Sequence, residues 1–245
     1  MRQPASLFHH AILIIGAICV CAFGTDAANA GSVSSVFFEI QVNSSLGSAS
    51  WSINSDDPGV IYNAGTQTWS WSDTVIGLGD VAILNQANLT IAGDPQIALG
   101  FALTAGAADT TVTITSAVLS FNPLLNPTGA ATAGLTLTET GGAANAFLNG
   151  LAGDFGHAYA AEYNVPPGTV LGEYVAGLTT TTTTTGSGNT GGFVAIPGTV
   201  SSMQATYSFV LSAGDQASGT SNFIIVPEPA TLALLGCVLL FARRR

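Results

Sequence analysis

Residues 204–212 read QATYSFVLS, and in this segment apolar side chains recur at every second position. The apolar series is Ala205, Tyr207, Phe209 and Leu211, with Gln, Thr and Ser at most of the positions between. Successive side chains of a β-strand point to opposite faces of a sheet. The spacing therefore predicts a strand with one face in the core and a hydroxyl-bearing face in water.

Similar segments recur along the chain. The predicted strands cover residues 33–42, 66–71, 88–92, 96–103, 111–115, 135–138, 159–163, 205–211 and 222–226. Clusters of Gly, Pro and Asp, such as Gly93-Asp94-Pro95, separate them and are typical of turns. Strands of a parallel α/β sheet would be apolar on both faces, so the alternation argues against that class. We predict an all-β fold, a β-sandwich of which the jelly roll is one form.

Two segments depart from this alternation. Ala143 to Leu151 is the one short stretch with a helical pattern. Thr179 to Thr185 is a run of seven threonines followed by a Gly-rich segment. The composition of residues 179–192 is too simple to specify a strand register, so we predict a flexible surface loop there. A glycosylated spacer is the functional alternative.

Charge is distributed unevenly. All four Lys and Arg residues of the chain are Arg2 and Arg243 to Arg245. Of the fourteen acidic residues all but Asp26 and Glu228 lie within residues 31–226, which leaves twelve carboxylates in that segment. Such an acidic domain repels nucleic acid and acidic polysaccharide. The pattern therefore excludes nucleic acid as a partner and leaves neutral polysaccharide open.

Residues 1–30 have the pattern of a secretory signal peptide. Arg2 supplies the positive charge, and residues 11–23 form an apolar segment too short for an ordinary membrane span. Ala28 and Ala30 place small side chains where signal peptidase requires them. We predict cleavage between Ala30 and Gly31 and export of a domain at 31–226.

Residues 227–245 have three parts. Pro227-Glu228-Pro229 is rigid and polar, residues 230–242 are apolar, and the cationic cluster Arg243, Arg244 and Arg245 follows. A helix of thirteen residues is about 20 Å long, which is short of the ~30 Å hydrocarbon thickness of a bilayer. By the positive-inside tendency the arginines act as a cytoplasmic stop. A buried C-terminal helix is the structural alternative.

This combination resembles the PEP-CTERM sorting signal of Gram-negative bacteria. The resemblance is confined to about twenty residues at 227–245 and leaves the fold of the rest open. It implies that Pro227, Glu228 and Pro229 are the sorting motif and that an exosortase, a membrane-embedded cysteine protease-transpeptidase, cuts the chain near them. It also implies passage through the inner membrane to the cell surface or the extracellular, exopolysaccharide-rich matrix. Membrane association through the helix would be transient or lasting.

The three tryptophans, Trp51, Trp69 and Trp71, lie within twenty-one residues. Trp69 and Trp71 are two positions apart, so a strand would place them on one face. Exposed, they would form a platform for a sugar ring, and the domain would be a carbohydrate-binding module. Buried, they are core residues, which is the simpler interpretation.

Residues typical of catalysis are few. His157 is the one histidine of the exported domain, and no nucleophile elbow, zinc motif or phosphate loop is present. A carboxylate pair such as Glu162 and Glu173 leaves a hydrolase of neutral polysaccharide as an alternative. Asp56-Asp57 fits a solvated turn. Calcium bound between loops is a general expectation for an acidic domain, with no assigned site and no other metal or cofactor predicted. The sequence thus favours an exported, non-enzymatic surface or matrix protein.

Overall fold

The computed structural model describes residues 31–142, 145–153 and 155–228, and these residues contain eighteen strands and no helix. In chain order the strands are β1 (Ser32–Val33), β2 (Val36–Ser44), β3 (Gly47–Asn54), β4 (Ile61–Asn63), β5 (Thr68–Leu78), β6 (Ala82–Ala92), β7 (Gln96–Ala105), β8 (Thr110–Ser116), β9 (Leu119–Leu125), β10 (Thr128–Thr138), β11 (Ala146–Gly150), β12 (Tyr159–Tyr163), β13 (Thr169–Tyr174), β14 (Leu178–Thr180), β15 (Thr183–Asn189), β16 (Val194–Ala195), β17 (Thr199–Leu211) and β18 (Gln216–Val226). The all-β prediction is confirmed.

The strands form two antiparallel sheets packed together as a β-sandwich. The ten-stranded sheet follows the order β1–β9–β17–β8–β2–β3, and β11 and β12 also pair with β17. The eight-stranded sheet follows the order β15–β10–β18–β7–β6–β5–β4, with β16 also paired to β10. Because β4 to β7 follow one another as a meander within one sheet, the order differs from the paired Greek keys of a jelly roll.

The segment at 204–212 lies in β17, inside the ten-stranded sheet. Tyr207 of this strand pairs with Ile114 of β8 and with Tyr159 of β12. The four apolar residues of the alternating series are fully buried, and the residues between them are half-buried. Phe101 of the opposite sheet packs 5.0 Å from Tyr207, measured between ring centroids. The alternation therefore predicted the buried face of this strand correctly.

The short helix predicted over Ala143 to Leu151 is wrong for the described part of that segment. Residues 146–150 form β11, which pairs with β14 and β17. Ala146 and Leu148 are buried, and the backbone N–H of Phe147 donates to Ser212 Oγ at 2.8 Å. Alanine's helix preference is a weak prior, and the hydrogen bonds offered by two neighbouring strands outweigh it.

The flexible loop predicted near 179–192 is also wrong. Most of this segment lies in β14 and β15, and β15 pairs with β10 over seven residues, from Thr183 opposite Thr138 to Asn189 opposite Thr132. Threonine favours strands, and β10 supplies the register that the threonine run lacks. Gly188 adds a packing constraint, since a Cβ there would lie 2.9 Å from Cβ of Tyr174.

The two predicted export signals lie outside the described residues, apart from their borders. The outlying parts are residues 1–30, with Ala28 and Ala30, and residues 229–245, with Pro229, the apolar segment 230–242 and the arginine cluster. Within 31–142, 145–153 and 155–228 no helix is long and apolar enough to span a bilayer.

Candidate functional sites on the sandwich

The predicted sorting motif begins where the sandwich ends. Strand β18 reaches Val226, and Pro227 and Glu228 are exposed directly after it. The backbone N–H of Ile225 donates to the carbonyl of Pro95 at 2.9 Å, which joins the end of β18 to the turn between β6 and β7. Pro227 also lines a groove of about 350 Å³ together with Phe121 and Leu124. The motif therefore starts on the surface, outside the strand ladder.

The predicted signal-peptidase product begins at the same end of the sandwich. Gly31 is buried against Leu119 and Gly93, since a Cβ there would lie 3.0 Å from Leu119 Cδ1 and 3.3 Å from Gly93 Cα. Gly93 also lines the groove beside Pro227. Gly31, the first residue of the predicted domain, thus packs beside the groove that Pro227 lines.

The predicted sugar platform is not formed by all three tryptophans. Trp71 is 5 % exposed, and its ring lies 5.4 Å from Trp51 and 4.9 Å from Phe38 between centroids. These contacts join the two sheets, because Trp71 is on β5 and the other two rings are on β3 and β2. Trp71 is a core residue, and Trp51 is half-buried with its ring stacked on that of Trp71.

Trp69 keeps one partner near the surface. Its ring lies 4.6 Å from that of Tyr62, which is 45 % exposed, and the two residues face each other across β4 and β5. Trp69 itself is half-buried against the core. Trp69 and Tyr62 therefore form an aromatic pair near the edge of the eight-stranded sheet that retains accessible surface.

A cluster of titratable groups lies on the β12–β13 hairpin. Glu173 lies opposite Ala160, two residues from Glu162, so the two glutamates share the outer face of the hairpin. His157 Nδ1 lies 3.7 Å from Glu173 Oε2, the one ion-pair distance within the described part of the chain. The Glu173 carboxylate rests on the loop before β12, where it leaves no room for a Cβ at Gly153.

The two glutamates differ in environment. Burial raises the pKa of the Glu162 carboxyl, and the charge of Glu173 raises this pKa further. A raised carboxyl pKa is what a hydrolase requires of its general acid. A glycosidase, however, places its two carboxyls on either side of the scissile bond. Here they lie side by side on one hairpin, and Glu162 does not line the open depression of about 490 Å³ at His157 and Glu173.

Replacing Glu162 with glutamine should stabilise the domain at pH 7 and change nothing at pH 3.5. A raised carboxyl pKa means that the folded state holds the proton more tightly, so the contribution of Glu162 to stability is complete below the pKa of the unfolded chain, ~4.3. That contribution is lost as the pH rises through the raised pKa. Thermal unfolding of both proteins between pH 3.5 and 8 measures the difference. Glu39→Gln on the same sheet controls for net charge, and an equal shift at both pH values would contradict the prediction.

The acidic turn at Asp56-Asp57 has a structural role. Asp57 Oδ2 accepts the backbone N–H of Asn54 at 2.7 Å, and the N–H of Asp57 donates back to the Asn54 carbonyl at 3.2 Å. These two hydrogen bonds between Asn54 and Asp57 close the turn. The described residues contain no group of three or more His, Cys, Asp or Glu side chains placed to hold a metal ion. Loop-bound calcium stays a prediction without a site.

The sequence matches no protein-family model and no curated protein.

Proposed function

We propose that this chain is an exported, non-enzymatic component of the cell surface or extracellular matrix, sorted and cut by an exosortase through residues 227–245. The observation that carries the proposal is the position of Val226. It is the last residue of β18, a strand paired on both sides, and Pro227 follows it directly. A cut near Pro227, Glu228 and Pro229 removes none of the eighteen described strands, so the product keeps the core that they form.

The placement of the two chain ends supports the same proposal. Signal peptidase and an exosortase both act at the inner membrane, one before Gly31 and the other near Pro227. Both positions flank the groove that contains Gly93. The domain can therefore be held at the membrane by either signal in one orientation, with the rest of the sandwich directed away from the bilayer.

The charge of the domain disfavours binding to nucleic acid, and the position of its carboxylates favours a non-enzymatic role. Residues 31–226 contain no Lys or Arg, so the domain offers no cationic groups to phosphate. The hydrolase alternative depends on Glu162 and Glu173, whose position on one hairpin does not enclose a glycosidic bond. Release of reducing ends from a neutral polysaccharide, abolished by Glu162→Gln, would favour that alternative instead.

Mass spectrometry of the mature protein tests the proposal. We expect an N-terminus at Gly31 and a C-terminus within or next to 227–229, with the mass of any attached group visible as a difference. A variant with alanine at Pro227, Glu228 and Pro229 should keep its C-terminal residues. Asp94→Ala, a substitution at the same end of the sandwich, serves as the control. A mature wild-type chain that extends to Arg245 would contradict the proposal.

A further inference from the structure

The outer face of the eight-stranded sheet carries an ordered array of uncharged polar side chains. Strand register places alternate residues of β6, β7, β18, β10 and β15 in rows that cross the strands. Three successive rows are Thr90, Ala98, Asn222, Thr132 and Asn189; Asn88, Gly100, Thr220, Gly134 and Ser187; and Gln86, Ala102, Ser218, Thr136 and Thr185. None of these fifteen positions carries a charged or an aromatic side chain.

A groove of about 440 Å³ crosses these strands. Gly134 lowers its floor on one side of Thr220, since it has no side chain, and on the other side the Asn88 carboxamide lies over Gly100. Asn88 lies at one end of this row and Ser187 at the other. The volume is within the range of small-molecule binding sites, and the groove is open enough for a chain to pass through it.

The polar side chains of the groove are free to bind a ligand. Within the described residues, seven of them make no hydrogen bond to the protein: Gln86, Asn88, Thr136, Thr185, Ser187, Ser218 and Thr220. Hydroxyl and carboxamide groups both donate and accept hydrogen bonds. Neighbouring strands are about 4.8 Å apart, and residues two apart on a strand are about 6.7 Å apart. The groove therefore presents donors and acceptors at regular spacing.

The chemistry of the face selects among possible occupants. Protein interfaces concentrate aromatic and apolar groups at their centre, and the rows have no aromatic side chain. An anionic polymer would be repelled by the twelve carboxylates of residues 31–226. A cation would find no charge in the rows to pair with. A neutral chain rich in hydroxyl groups matches the composition and the charge of the face.

We propose that this groove binds an extended, neutral polysaccharide chain through the uncharged side chains of β6, β18, β10 and β15. Binding uses hydrogen bonds to the strand faces and requires neither Trp69 nor Trp71. Each hydrogen bond contributes little in water, so affinity rises with the number of sugar units that the rows engage. The inference concerns the folded domain and holds whether or not residues 227–245 are a sorting signal.

The test uses the full chain in mild detergent and affinity electrophoresis through gels that contain dextran, hydroxyethylcellulose, galactomannan or the acidic polymer alginate. We expect at least one neutral polysaccharide to retard the protein and alginate to leave its mobility unchanged. Gly134→Val should weaken retardation at least tenfold. A Cβ at Gly134 meets only the Gly186 carbonyl, at 3.9 Å, so the side chain projects into the groove without strain.

Gly77→Val is the matched control, because Gly77 is exposed on β5 outside the groove and a Cβ there meets nothing within 4 Å. It should bind as the wild type does. Thr220→Ala removes one exposed hydroxyl and should weaken binding about three- to tenfold, the usual contribution of one hydrogen bond. Absence of retardation by all three neutral polymers, or equal retardation of Gly134→Val and wild type, would overturn the proposal. So would equal retardation by alginate.

Discussion

Asp215→Ala is expected to lower the free energy of unfolding by about 3 kcal/mol, because it removes three hydrogen bonds accepted by a buried carboxylate. The Asp215 side chain is fully buried. Its carboxylate accepts the backbone N–H of Thr140 at 3.0 Å and of Gly141 at 3.1 Å, and the Ser212 hydroxyl also donates to it. The residue thus joins the end of β10 to the turn between β17 and β18.

Thermal or urea unfolding measures this effect. For a domain of this size a loss of about 3 kcal/mol corresponds to a fall in Tm of about 6–12 °C. Asp109→Ala is the matched control, since Asp109 is exposed and accepts one hydrogen bond, from the N–H of Ala213 at 3.1 Å. It should cost less than about 1 kcal/mol. Equal losses for the two variants would contradict the prediction, because they would show that the buried hydrogen bonds of Asp215 stabilise the fold no more than the single exposed one of Asp109.

Removal of residues 227–245 is expected to change where the protein is found and to leave its stability unchanged. The strand ladder is complete at Val226, so the truncated chain should unfold within about 1 °C of the wild type. Without the predicted sorting motif, helix and arginine cluster, it should leave the envelope fraction and accumulate in the periplasm or the medium. Cell fractionation and thermal unfolding of the same sample measure both results.

A second truncation, before Gln216, serves as the control for folding. It removes β18, which lies between β10 and β7 and buries Phe223 and Ile225. This chain should not fold, because the eight-stranded sheet loses a central strand. Unchanged processing and location after removal of 227–245 would reject the sorting proposal, even if the stability prediction holds.

Nine of the eighteen strands, among them β8, β17 and β18, were predictable because burial and strand period coincide in them. In β8, β18 and residues 203–211 of β17 every second residue is buried, and the sequence shows the same alternation. Most side chains on the core face are apolar and most on the outer face carry hydroxyl or amide groups, so the positions of these strands follow from local sequence. The turns at Gly and Pro residues then separate one strand from the next.

The threonine run and β11 could not be assigned in the same way. Seven identical residues contain no information about which face is inward, and the pairing of β14 with β11 and of β15 with β10 sets their register. At 146–150 the hydrogen bonds to β14 and β17 decide the conformation. Both depend on partners distant in sequence, which local patterns do not identify.

The groove on the eight-stranded sheet could be identified only from the strand order. Asn88, Thr220 and Ser187 are far apart in the chain and lie in one row because β6, β7, β18, β10 and β15 are neighbours. The sequence contained the groove's polar residues, which occupy alternate positions within these strands. For the tryptophans, polar sequence neighbours did not indicate exposure, because Trp71 has such neighbours yet lies in the core.

The exit of the C-terminal segment from β18 also decides how the domain bears mechanical load. A pull on a surface-attached tail acts along the axis of β18. That strand pairs with β10 over its whole length and with β7 over residues 216–224. Antiparallel ladder bonds are perpendicular to the strands, so the pull shears both ladders at once and cannot open them one bond at a time. If the proposed sorting step leaves the product attached through its C-terminus, the two ladders resist drag applied through that attachment.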